Sequence, residues 1–106
     1  MTNTPTPISV YTITMMDDRD ITRPPVWRAV AVVTDKDLAL RMVRNNELDI
    51  SEGGTNRYAV IEKTYLNELY PLSEERIWFE WNPADGEYLE TECPHQFQRV
   101  VCFGIG

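Results

Sequence analysis

Cys93-Pro94-His95 with Cys102 brings both cysteines and the only histidine of the chain close together. Two thiols and an imidazole suit either a zinc ion or a cysteine nucleophile with its base. A structural zinc site needs four ligands and paired close spacings such as Cys-x-x-Cys, which this stretch lacks. A thiol on the last strand and an exposed loop histidine explain the same letters, so no metal ligand, catalytic residue or cofactor is assigned. Glu62 closes the apolar run Tyr58-Ala59-Val60-Ile61, where desolvation would raise a carboxylate pKa. A glutamate on an edge strand facing water is the plainer reading, and a hydrolase would need a second carboxylate in the same cleft.

Gly53-Gly54-Thr55-Asn56-Arg57 offers backbone amides and a guanidinium to a phosphate or carboxylate. It lacks the lysine and the strand-glycine-helix context of a P-loop, and a loop that merely re-aims the chain uses the same residues. Gly53, Gly54, Asn56, Arg57 and the nearby Tyr70 form the candidate site for a nucleotide-like ligand. A different chemistry is offered by residues 62–92, where nine acidic side chains face only Lys63 and Arg76, a balance of −7 in a chain whose total is −7. Inside that stretch lies Trp78-Phe79-Glu80-Trp81. An acidic field guides a basic partner and a large aromatic surface holds one, so Trp78, Glu80, Glu87, Glu90 and Glu92 form the candidate partner-binding set.

These residues must be positioned by a small fold, since 106 residues at 42% hydrophobic content supply one core. No run approaches a membrane-spanning length and the amino end is Thr/Pro-rich, which points to a cytoplasmic protein with reduced thiols. An acidic balance argues against direct contact with nucleic acid or an anionic membrane, because both need basic groups. Residues 1–7 predict a flexible arm and residues 8–106 a single domain.

The alternating run Ile8 to Met16 predicts a first strand, with Tyr11, Ile13 and Met15 on one face and Val10, Thr12 and Thr14 on the other. Val26 to Val33, almost wholly apolar, predicts a second and central strand. Thr34-Asp35-Lys36-Asp37 has capping-box spacing, with Thr34 as the cap of a helix whose stripe is Leu38, Ala39, Met42 and Val43 and whose end is Asn45-Asn46. Arg57 to Thr64 predicts the next strand, reached by a parallel crossover. Arg76 to Trp81 and Glu87 to Glu92 form a hairpin around Asn82-Pro83-Ala84-Asp85-Gly86, with Ile77, Phe79 and Trp81 under the helix and Trp78 with Glu80 outside, Trp78 either as an exposed anchor or covered by a loop such as Tyr70 to Ser73. Arg99 to Ile105 predicts a last, apolar strand whose open edge favours a homodimer. The order β-β-α-β-β-β-β gives an α+β domain with a mostly antiparallel sheet of about six strands and one helix packed on a face.

Asn46-Glu47-Leu48-Asp49-Ile50-Ser51-Glu52-Gly53, Tyr58-Ala59-Val60-Ile61-Glu62, Leu69-Tyr70-Pro71, Trp78-Phe79-Glu80-Trp81 and Phe103-Gly104-Ile105-Gly106 together resemble a family of small uncharacterised proteins of bacteria and their phages. The resemblance implies a small, phage-encoded accessory protein and brings no activity or site residue with it. The sequence thus reads as a non-catalytic acidic protein that binds a basic partner protein, such as an inhibitor of a host nucleic-acid-handling or defence system. A nucleotide-like ligand on the 53–57 loop is the alternative, and a small hydrolase using Glu62 or His95 stands third.

Overall fold

The structure, a computed structural model, describes residues 8–19, 22, 26–66, 72–100, 102 and 103. Tyr70, the 1–7 arm and Leu69-Tyr70-Pro71 lie outside the described residues. The elements in chain order are β1 (Ser9–Asp17), β2 (Val26–Val33), α1 (Lys36–Arg44), β3 (Tyr58–Tyr65), β4 (Glu75–Asn82) and β5 (Glu87–Thr91). They form an α+β fold with one five-stranded sheet of order β2-β1-β3-β4-β5, in which every neighbouring pair is antiparallel.

This corrects two expectations. Among the described residues β2 is an edge strand, not a central one, and five strands stand where about six were expected. No strand forms at described residues 99, 100, 102 and 103; a 3₁₀ turn (His95–Phe97) and irregular chain take its place, with Cys102 and Phe103 buried. The open apolar edge expected to drive dimerisation at the carboxyl end is therefore absent from those residues. The crossover is as expected in direction: β2 and β3 both run against β1 and so run parallel to each other, with β1 between them.

α1 starts one residue later than the capping box implied. Asp35, not Thr34, is the N-cap, and its carboxylate accepts from Asp37 N at 2.9 Å. An aspartate satisfies the free amide as well as a threonine and also meets the positive end of the helix dipole. Asn45 closes the helix, its N–H donating to Arg41 O at 2.9 Å. Ala39 and Val43 are fully buried, with Leu40 and Met42 packed beside them against Ile13, Met15, Ala59, Ile61, Phe79 and Tyr88. These sheet residues share one face because alternate positions of a strand point the same way, as the readings of β1, β3 and β4 required.

The opposite face is covered as well. Met16, Tyr58, Val60 and Trp78 pack under Phe97 and Phe103, with Trp27 alongside. The segment after β5 thus returns across the sheet, and its two phenylalanines supply the cover that a second helix gives in other folds.

Candidate functional site

The β4–β5 hairpin keeps the turn chemistry its sequence promised. Asn82 accepts from Ala84 N at 3.1 Å through its side chain and from Gly86 N at 2.8 Å through its carbonyl, and Gly86 takes φ +66°. Only some of the expected binding residues are exposed. Trp78 is 4% exposed and stacks on Phe97 with ring centroids 5.6 Å apart and planes 8° from parallel, so it is an inner wall and not an anchor. Glu80 is half-buried and accepts from Arg57 Nε at 3.2 Å. Glu90 is exposed and stands 3.7 Å from the Arg44 guanidinium, a contact that water screens. Glu87 and Glu92 are exposed, and neither forms an ion pair among the described residues.

Leu89, which the sequence reading passed over, lies between Glu87 and Glu90 and is 46% exposed. Its alternation with Tyr88 was visible, and it points away from the helix because it faces Glu80 across the ladder. Leu89, Glu80, Trp81, Pro83 and Glu90 line a cleft of about 300 Å³ beside the turn. The hairpin therefore combines acidic groups, a small apolar floor and, among the described residues, a strand edge with no strand beside it.

The 53–57 loop already holds an anion of its own. Asp49 accepts from the Ser51 hydroxyl at 2.8 Å, from Gly53 N at 3.1 Å and from Asn46 Nδ2 at 3.2 Å. These bonds, the Ser51 one foremost, hold its carboxyl below the usual carboxylate range. Asn56 is committed too, donating from its side chain to Ile50 O at 2.9 Å. Arg57 bonds Glu80, stands 3.4 Å from Asp18 and lies over the Tyr58 ring at 4.8 Å. The donors expected to meet a ligand are thus engaged within the chain. Beside them, Arg19, Gly53, Gly54, Arg57, Glu80, Trp81 and Pro83 line a cleft of about 420 Å³.

Tyr88 anchors this loop to the sheet by donating its hydroxyl to Asn56 O. Burial first, and the Asp49 charge second, push its phenol well above the ordinary range. Gly54 has φ +85°, and a Cβ there would stand 2.8 Å from Trp81 Nε1, whereas a Cβ on Gly53, at φ +69°, meets nothing within 4 Å. Gly54→Ala is therefore expected to cost about 2–3 kcal/mol, from backbone strain plus a displaced indole, and Gly53→Ala about 1 kcal/mol from strain alone. Urea unfolding of the two variants checks this, and equal costs would mean that the Trp81 contact has no weight.

Glu62 is fully buried on β3, not on an edge facing water. Arg76 Nε donates to it at 3.2 Å and Phe103 N at 3.0 Å, and the Ser73 hydroxyl donates to it as well. Its oxygens are occupied by groups that tie β4 and the carboxyl-terminal segment to the sheet. Cys93 and Cys102 are free thiols, and no group of three or more metal-ligating side chains occurs among the described residues. Burial pushes the Cys93 thiol up, away from the reactive thiolate. His95 is exposed, and no hydrogen bond joins it to Cys93, which instead donates to Pro94 O at 3.5 Å. The structure does not bring Glu62, His95 and the thiols into one centre. Among the described residues no helix is long and apolar enough to cross a membrane. No protein-family profile, curated protein or solved structure matches the chain.

Proposed function

We propose that the chain is a non-catalytic acidic interaction protein whose β5 edge receives a basic segment of a partner protein. The observation that carries this reading is the charge of residues 85–92, four acidic side chains and no basic one, displayed on an edge strand beside the exposed Leu89. Such an edge accepts an extended chain through its free backbone groups, while Glu87, Glu90 and Glu92 select arginine and lysine. Leu89 and the adjoining cleft take over the apolar role first given to Trp78. Proteins that grip nucleic acid present the required basic surface, so inhibition of a host nucleic-acid-handling or defence protein is the role this chemistry fits. A phage origin rests on the resemblance alone.

An arginine-rich peptide titrated into isotopically labelled protein tests the reading. Shift changes are expected along β5 and the cleft, with affinity falling steeply as salt rises, because exposed charges are screened over about 8 Å at physiological ionic strength. Reversing Glu87 and Glu92 to lysine should weaken the peptide about tenfold or more, against a small effect from the same charge change at Asp37 and Glu47. Equal effects would mean that total charge, and not this edge, does the binding.

The cleft beside Gly53, Gly54 and Arg57, with two guanidinium groups on its wall, supports a second reading as a small-ligand site. A nucleotide there would have to displace Glu80 or Asp18 from Arg57. Failure of every nucleotide at millimolar concentration to raise the melting temperature would remove it.

A further inference from the structure

The two ends of the sheet are built differently. β5 has five residues and carries Glu87 and Glu90, with Glu92 just beyond, so a second acidic copy approaching it meets like charge along the edge. β2 has eight residues, no acidic side chain and one cation, Arg28, which pairs with Glu52 of the same chain. Val26 is 57%, Val30 37% and Val32 61% exposed. Among the described residues β2 pairs only with β1, which leaves its outer row of backbone groups without a strand beside it. A long apolar edge of this kind is normally blunted by charge, proline or brevity. β2 has one charge, Arg28, already paired with Glu52, and a bulge at Val30, where the pairing steps from Ile13–Ala31 to Thr14–Ala29. The bulge bends the middle of the strand and leaves Ala31–Val33 as a regular arm.

We infer that β2 is a self-association edge, on which a second copy of this chain adds antiparallel about a two-fold axis at Val32. Val32 then faces the partner's Val32, and Ala31 faces the partner's Val33. Ala31 and Val33 already share the helix face of the sheet, through their places opposite Ile13 and Tyr11, so this register keeps both helices on one side of a continuous sheet. The charge distribution selects a second copy as the occupant. Residues 62–92 carry the whole −7, and the rest of the chain sums to zero. Joining β2 to β2 brings the neutral ends of two acidic molecules together and holds their acidic β5 edges at the far ends. One isologous contact also closes both open edges at once.

Sedimentation velocity on the full chain across the micromolar range tests the inference, with hydrogen exchange of the β2 amides measured in parallel. A dimer is expected, and protection of residues 26–33 rises with protein concentration. Val32→Lys sets two like charges directly opposite each other and should abolish the dimer while circular dichroism shows the fold retained. Leu72→Lys, at an equally exposed leucine ahead of β4, should leave it intact. A dimer that survives Val32→Lys overturns the proposal. So does a strict monomer: if its β2 amides are protected at every concentration, the chain covers its own edge, and if they exchange freely, the edge is open to a different chain.

Discussion

Glu62→Ala is expected to remove about 3–5 kcal/mol, the cost of breaking a buried ion pair from one side. A domain of this size holds only about 5–15 kcal/mol in total, so the melting temperature should fall by more than about 10 °C. Glu62 has no exposed surface and sits in the middle of the sheet, opposite Thr12 on β1 and Arg76 on β4. Its loss leaves the Arg76 guanidinium, with a side chain only 19% exposed, facing a cavity without a counter-charge. It also strips the Phe103 amide, bonded at 3.0 and 3.1 Å, of its acceptor. Glu62→Gln keeps an acceptor for that amide and loses only the charge, so it should cost less. The double variant Glu62→Leu with Arg76→Met removes both charges and should recover much of the loss, because an apolar pair avoids the desolvation of two ions. Urea unfolding decides, and a cost below about 1 kcal/mol for Glu62→Ala would show that Arg76 finds water instead.

Alternation in the sequence located the faces of this sheet but not the neighbours of its strands. The sides of Ile13, Ala59, Phe79 and Tyr88 follow from period two, since each shares a face with residues two positions away. β2 misled because a continuous apolar run normally marks burial on both faces. What puts β2 at the edge is the crossover through α1, which carries β3 past β1 to the other side, and no local pattern records that step. Glu62 was expected on an edge facing water and is instead buried between β1 and β4, for the same reason. In the 53–57 loop the sequence showed the donors but not the partners they have within the chain. Asn46, Asp49 and Ser51 are residues that bond nearby backbone, and that signal was present in the sequence. Once Asp49 fills the turn, the loop amides have their anion.

Phe97→Ala should cost about 3–5 kcal/mol, the usual penalty for emptying a buried phenylalanine site. Phe97 is 1% exposed and touches every ring on that side of the sheet: it stacks on Trp78 and meets Trp27, Tyr58 and Phe103 edge to face, at 6.4, 6.0 and 5.8 Å between centroids. It also sits in a three-residue turn, His95–Phe97, which has too few hydrogen bonds of its own to stay put without that ring. Its removal should therefore loosen the segment from residue 93 onward, with Trp78 passing toward water and the tryptophan emission moving to longer wavelength. The result also bears on the partner surface. With Phe97 in place Trp78 is closed off, which leaves Leu89, Glu87 and Glu92 as the exposed side chains of the proposed surface. If Phe97→Ala instead melts like the parent and leaves the emission unchanged, the carboxyl-terminal segment does not cover Trp78 in solution. The indole would then return to the surface proposed for the acidic hairpin.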